Sequence, residues 1–417
     1  MGYSGRRRGM ELPLTNWCDD VKDYLNVILF GDAREVIKDL SDNSVQCIVT
    51  SPPYFKKRKY TECNPKEIGR EATPEEFIEN LCVVFDELWR VLRDDGVLFI
   101  NLGDTNWDGR PHPYLKDQDL CLTPHRFAIA MQQRGWILHN DNVWKKVNPT
   151  PVPSFKKFKP SHEYIFFFTK TNKYFFDYIA VREPAKDPNP KKTNIKYGGN
   201  KYTEKVGGTY SGNTYVPNGF ALKKDVWTFT TASDRSSHCA VYPKELPLTA
   251  IKAGTSEHGA CPICGKPFAR IVVDGEDLDE WKKACGADKK GKYNGKGKKE
   301  YKKQSAQDPS EIKRRTLEGM KEQKTVGWEP KCDCWKPKLS RIRAYPACSK
   351  DESFWPHCQQ AILSAYAEIP TVRCIVLDPF GGSGTTAQVA VQNGRDYILI
   401  ELNKNNEMDI NKKIHGE

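Results

Sequence analysis

The sequence has no stretch of about 18 consecutive apolar residues, so a membrane-spanning helix of ordinary length is not expected. Arg6-Arg7-Arg8 stands near the start with no apolar segment behind it, which argues against a secretory signal. No glycine cluster continues as G-K-[ST], so a bound nucleoside triphosphate is not expected. No internal repeat is visible. Acidic residues are in deficit: Lys+Arg exceed Asp+Glu by 65 − 54 = 11, a surplus that suits a polyanionic partner. Cysteine is plentiful at 14, and without a signal these read as thiols in a reducing, cytoplasmic setting. Hydrophobic content of 38% and charged content of 29% fit a soluble globular chain. Its 417 residues allow a catalytic domain with one or two smaller modules.

Beyond an N-terminal arm over residues 1–25, the pattern becomes orderly. Val27 to Phe30 predicts a strand, Ala33 to Leu40 a helix, and Val45 to Thr50 a buried strand. Thr73-Pro74-Glu75-Glu76 is a helix start, with a capping threonine, a first-turn proline and acids at the positive end of the dipole. That helix should run to Val91, burying Phe77, Leu81, Val84, Phe85, Leu88 and Val91. Strands follow at Val97–Asn101, Ile137–Trp144 and Glu163–Thr169, with a helix over Thr123–Arg134. Alternating strands and helices imply a mostly parallel α/β sheet. Residues 26–177 form one half of the domain, interrupted at 178–225 by a Lys-, Asn-, Gly- and Tyr-rich stretch. Order resumes over 226–258, breaks again across a Cys- and Lys-rich insertion at 259–343, and returns over 344–417.

Two stretches carry chemistry. Ile375-Val376-Leu377 leads into Asp378-Pro379-Phe380-Gly381-Gly382-Ser383-Gly384-Thr385-Thr386 and then a helix. This strand, glycine loop and helix bring backbone close to a nucleoside cofactor. The next strand ends in Glu401, 23 residues after Asp378, a spacing at which an acid can hold ribose hydroxyls. The second stretch is Thr50-Ser51-Pro52-Pro53-Tyr54-Phe55, where a buried strand stops on a hydroxyl, two prolines and two aromatics.

Together these segments resemble the amino-methyltransferases that modify exocyclic amines of DNA bases. Because the catalytic motif precedes the cofactor motif, the order resembles the circularly permuted beta group. Asn101-Leu102-Gly103-Asp104, Asn142 to Pro149, Ser161-His162-Glu163-Tyr164, Asp225-Val226-Trp227 and His238 to Leu246 also match family segments, so the likeness covers most of residues 26–258 and 372–403. The resemblance implies a class I, Rossmann-like methyltransferase fold with S-adenosylmethionine as cofactor. Its cofactor-binding residues would be Asp32, Thr50, Ala240, Pro243, Asp378, Pro379, Phe380, Gly382, Gly384, Thr385 and Glu401. Asp32 would sit near the adenine amine, although it could equally cap the helix at Ala33; Pro243 could simply start a helix.

The chemistry explains the prolines. An exocyclic amine must pyramidalise to attack a sulfonium methyl and needs acceptors for its hydrogens. The Ser51 hydroxyl and the Pro52 carbonyl supply two, and Pro52-Pro53 holds them in place without a competing N–H. Tyr54 offers a face to a flipped base, and Phe55 can assist. Family members that open this motif with serine usually methylate N4 of cytosine, and those with aspartate or asparagine N6 of adenine. Glutamine methyltransferases use Asn-Pro-Pro-Tyr, but their cofactor loop comes first. The expected activity is thus cytosine-N4 methylation of double-stranded DNA, as the protective half of a restriction–modification pair with a cognate endonuclease or as a solitary modifier. Adenine-N6 methylation, an RNA substrate, and an inactive zinc-bearing DNA-binding protein are the alternatives.

Residues 178–225 would recognise the target, with Tyr197, Tyr202 and Tyr210 among lysines suited to phosphates and base edges, and Lys145 nearby. In the second insertion, Cys261-Pro262-Ile263-Cys264-Gly265 forms a knuckle-like turn, and Cys332-Asp333-Cys334 lies 68 residues beyond it. Four thiolates can make a closed, structural zinc site. Between the pairs, residues 289–303 hold eight lysines against one glutamate, a run that is either solvated or phosphate-gripping.

Overall fold

The computed structural model describes residues 17–58, 67–149, 151, 156–184, 220–232, 242–277, 321–336 and 355–416. The chain divides into two compact units, one formed by residues 1–177, 224–269 and 328–417, the other by 178–223 and 270–327.

The first unit opens with a short helix, α1 (Trp17–Val21), then β1 (Val27–Phe30), α2 (Ala33–Val36) and β2 (Val45–Thr50). A long helix, α3 (Pro74–Val91), runs directly into β3 (Leu92–Leu102), and α4 (Thr123–Gln133) precedes β4 (Ile137–Lys146) and β5 (His162–Thr169). The described residues of the second unit include α5 (Tyr178–Val181) and the short antiparallel pair β6 (Glu183–Pro184) and β7 (Phe220–Ala221). The chain then supplies β8 (Val226–Phe229), α6 (Glu245–Gly254), and a two-stranded ribbon of β9 (Phe268–Asp277) and β10 (Lys321–Pro330). It ends with α7 (Trp355–Ala367), β11 (Ile375–Asp378), α8 (Thr385–Gln392), β12 (Asp396–Glu401) and α9 (Glu407–His415).

Eight strands form one sheet in the order β1-β12-β11-β2-β3-β5-β4-β8. Only β5 is reversed, antiparallel to both β3 and β4; every other neighbouring pair is parallel. β11 enters mid-sheet, with Val376 beside Cys47 and Leu377 beside Ile48. Every residue of β2 and β11 is buried, as expected for central parallel strands covered on both faces. This topology gathers Phe30, Thr50, Leu102, Asp378 and Glu401 at one edge, where open α/β sheets bind ligands.

The caps behave as their residue types require. Thr73 and Glu76 form a reciprocal capping box at the head of α3, and Pro74 occupies its first turn. The buried side of α3 is Phe77, Ile78, Leu81, Cys82, Val84, Phe85, Leu88 and Val91, with Phe85 edge-on to Phe127 of α4 at 5.1 Å. Truncating Phe85 to alanine would cost about 3–5 kcal/mol.

The structure departs from the sequence reading in three places. The arm contains α1, whose Trp17 N–H bonds the carbonyl of Ile263 at 3.2 Å. β3 begins at Leu92, five residues before the apolar run, because its first residues pair with Val45 across a bulge. Residues 259–269 and 328–336, expected inside one insertion with everything between, belong to the first unit.

Candidate active site

Asp378 is the hub of the strand edge. It is 1% exposed, and its two oxygens accept four hydrogen bonds. Oδ1 receives the Thr50 hydroxyl at 2.6 Å and the Phe380 N–H at 3.1 Å; Oδ2 receives the Thr386 hydroxyl at 2.5 Å and the Tyr242 hydroxyl at 3.2 Å. Burial raises its pKa, and the four donors work in the opposite direction. One carboxylate therefore ties the end of β2, the glycine loop, the start of α8 and the segment before α6. Burial and the neighbouring Asp378 carboxylate push the Tyr242 phenol well above its ordinary range.

Above this hub lies a cleft with about 930 Å³ of open space, counting the part that merges with solvent. Its wall includes Asp32, Ser51, Pro53, Tyr242, Pro379, Phe380, Gly382, Thr385 and Glu401, so the two motifs meet in one site. Thr50, Pro52, Asp378, Gly384 and Pro243 are not among the residues that line it. Pro243 is buried at the head of α6, where its carbonyl accepts the Leu246 N–H at 3.1 Å. Gly384 has φ +75°, and a Cβ there would lie 2.7 Å from Cγ2 of Ile410; it shapes the turn into α8. Glu401 accepts from the Gly382 N–H at 2.8 Å, the Asn403 N–H at 2.9 Å and the Asn406 amide at 3.2 Å. Burial holds its carboxyl above the usual range. Asp32 does cap α2, accepting from the Arg34 N–H at 3.0 Å, and it also grips the Arg34 guanidinium at 2.9 and 2.5 Å. Its outer edge still lines the cleft.

Near the end of β2, the Ser51 hydroxyl lies 3.4 Å from Oδ1 of Asn101 and 3.5 Å from the Tyr54 hydroxyl. The Tyr54 hydroxyl donates to Glu163 at 2.6 Å and also lies 3.1 Å from Oδ1 of Asn101. Glu163 in turn accepts from the Asn101 amide at 3.2 Å and pairs with the Lys146 ammonium. Asn101, Lys146 and Glu163 come from β3, β4 and β5, and none was picked as a site residue from sequence. The one available clue is that Asn101, Lys146 and Glu163 all stand inside family-like segments. Phe55 requires correction. Its ring is 1% exposed, 5.5 Å from Phe77 and stacked 6.5 Å from Trp107, so it is core and has no open face for a base.

A family model described as "DNA methylase", for N6 and N4 methyltransferases, matches residues 45–264 and 287–412. The chain belongs to the N6/N4 DNA methylase family. This methyltransferase is 32% identical over 274 residues to the Type II methyltransferase M.SmaI of Serratia marcescens, covering 60% of this chain and 83% of that one. It is 35% identical over 271 residues to M.XycI of Xanthomonas campestris pv. cyanopsidis, covering 59% and 79%. Among solved structures it is similar to the PvuII DNA methyltransferase (cytosine-N4-specific), at 13% identity and TM-score 0.45, over 94% of this chain and 93% of that one.

The remaining expected residues of the methyltransferase lie elsewhere. Lys145 is exposed near the end of β4, opposite His162, and lines no part of the cleft. Ala240, Tyr197, Tyr202, Tyr210 and the lysine run at 289–303 lie outside the described residues. Cys261, Cys264, Cys332 and Cys334 do come together: their four sulfurs all lie within 4.8 Å of one another. No helix among the described residues is long and apolar enough to cross a membrane.

Proposed function

We propose that this methyltransferase moves the methyl group of S-adenosylmethionine to the exocyclic N4 amine of a cytosine flipped out of double-stranded DNA. The observation that carries the reading is that Ser51 and Pro53 share one cleft with the glycine loop and Glu401. The lining fits a sulfonium nucleoside. It offers the Phe380 ring, a glycine-bordered turn and a carboxylate for ribose hydroxyls, while Arg34, the one cation of the lining among the described residues, is already paired with Asp32. When bound, the cofactor supplies an electrophilic methyl.

The chain's own residues do the rest. The Ser51 hydroxyl can turn its hydrogen toward Asn101 or Tyr54, leaving lone pairs for the amine's hydrogens. The proline-locked turn presents the Pro52 carbonyl as a second acceptor, which favours the pyramidal amine of the transition state. Tyr54 is tethered by Glu163 and Asn101 and so has one ring orientation for stacking a flipped base. Electrophilic methyl and nucleophilic amine are brought together by position, with no covalent enzyme intermediate.

Serine at position 51 favours cytosine over adenine. The likeness to Type II methyltransferases supports a role as the modifying half of a restriction–modification pair. The late position of the glycine loop supports the permuted order. Incubation with labelled cofactor and mixed duplex DNA, followed by mass spectrometry of the nucleosides, tests the reading. 4-Methylcytosine is expected; 6-methyladenine as the sole product overturns the base assignment, and no transfer overturns the activity.

A further inference from the structure

We infer that Cys261, Cys264, Cys332 and Cys334 hold a structural zinc ion, and that this site is a clasp seating the cofactor strand β11 against the catalytic strand β2. Four sulfurs around one ion at about 2.3 Å stand about 3.8 Å apart, and the observed set, all within 4.8 Å, suits a single tetrahedral ion. A multi-iron cluster needs its cysteines farther apart. Four thiolates leave no open position, so the ion is structural. Cys261 is fully buried, and its sulfur accepts from the indole N–H of Trp335 at 3.2 Å, the kind of outer hydrogen bond that orients a ligand.

The backbone of the cysteine turn is what makes it a clasp. The Gly265 N–H closes on the Cys261 carbonyl at 2.7 Å, and the Cys261 N–H bonds the Lys266 carbonyl at 2.9 Å. Three further carbonyls of the turn are taken by residues of β2, β3 and α1. Gly265 accepts from the Gln46 amide at 2.8 Å, Cys264 from the Arg93 guanidinium, and Ile263 from the Trp17 N–H at 3.2 Å. Gln46, near the start of β2, is 1% exposed, and its other end accepts the N–H of Ile375, the first residue of β11, at 2.7 Å. Ala260, beside the first cysteine, exchanges two backbone hydrogen bonds with Val372, at 2.7 and 3.0 Å.

β2 and β11 are thus pinned at both ends. At one end Gln46 joins them through the cysteine turn; at the other, the Thr50 hydroxyl meets Asp378. Gln46 and Thr50 are four residues apart on one strand, on the order of 13 Å, so the metal acts on the cofactor loop only through the strand's position. The inference concerns the fold and is independent of which base is methylated.

Full-length protein purified without added metal should contain one zinc per chain by elemental analysis, and Cys264→Ser should lose it. Because loss of a ligand can unfold that variant, two further arms decide the matter without using activity. Stripping zinc from the wild type with a chelator should lower the melting temperature and speed amide exchange at Ile375–Asp378 about tenfold or more; one equivalent of zinc should reverse both. Gln46→Leu should keep its zinc yet show the same faster exchange, because it leaves the Gly265 carbonyl and the Ile375 N–H without partners. Absence of zinc that cannot be loaded overturns the site. Unchanged exchange after stripping, or in Gln46→Leu, overturns the clasp.

Discussion

Gly103, just past the end of β3, is the place to ask whether Tyr54 works through its position. Its φ is not positive, so alanine there meets no left-handed strain. What alanine brings is a methyl group 2.6 Å from Cε2 and 3.0 Å from Cδ2 of Tyr54, and 3.3 Å from the carboxyl carbon of Glu163. Carbon atoms rest at about 3.5–4.0 Å, so the ring edge must retreat by roughly 1 Å. That movement strains the 2.6 Å hydrogen bond to Glu163 and shifts the stacking face. A 1 Å misplacement costs about 100-fold in rate, or about 2.7 kcal/mol on the barrier. Gly103 is not in the lining of the cleft, so cofactor affinity should stay within about twofold of wild type. Single-turnover transfer of labelled methyl to duplex DNA reads the rate, and calorimetry with S-adenosylhomocysteine reads the affinity. The decisive arm is a cycle with Tyr54→Ala: with no ring to displace, Gly103→Ala should cost nothing further. A Gly103→Ala enzyme of near-normal rate, or one losing the same factor in both backgrounds, refutes the reasoning.

The other expectations use different parts of the site. Glu163→Gln should lower the single-turnover rate about tenfold with unchanged cofactor affinity, because it removes the charge paired with Lys146 and sets an amide NH2 against either that ammonium or the Tyr54 and Asn101 donors; additivity with Lys146→Met would contradict a shared network. Burial raises the Glu401 pKa, and ribose hydroxyls donate best to its ionised form. S-adenosylhomocysteine affinity should therefore be steady at high pH and fall as pH drops through that raised value, and Glu401→Gln should remove this dependence; an identical slope in the variant speaks against it. Burial raises the Cys47 thiol and pushes Cys82 and Cys374 up to about 12, so all three should resist iodoacetamide at pH 8 until the chain is unfolded, as peptide mass mapping can check.

What the sequence made legible was local. Thr73, Pro74 and Glu76 write the start of α3 in their own side chains, and the continuous apolar runs of β2 and β11 are those of strands covered on both faces. Each cysteine pair is legible because its close spacing, two residues between Cys261 and Cys264 and one between Cys332 and Cys334, is a local property, although their meeting across 68 residues is not. What remained hidden depends on register. Whether Glu163 or His162 faces Tyr54 is decided by how β5 pairs with β3 and β4, and a one-residue slip would exchange them. The same parity makes Lys146, not Lys145, the lysine that reaches the site. Phe55 misled because an aromatic beside a catalytic turn looks the same in sequence whether it faces a ligand or Phe77 and Trp107. Asp378 reads as a ligand-binding acid, yet its four hydrogen bonds come from residues spread between Thr50 and Thr386.

The strand order has a consequence for how the protein comes into being. β11 and β12 stand between β1 and β2, although both of those earlier strands are made more than 300 residues before them. A ribosome at residue 370 has therefore produced two flanks of a sheet with nothing to join them. At about 5–20 residues per second, the gap from Thr50 to Asp378 lasts roughly 20–60 s. Throughout that interval the apolar edge of β2 that β11 will cover needs shelter, from a chaperone or from non-native contacts within the nascent chain. Yield on overexpression should then be limited by the wait for the last two strands, and slow-translating codons downstream of β2 should lower it.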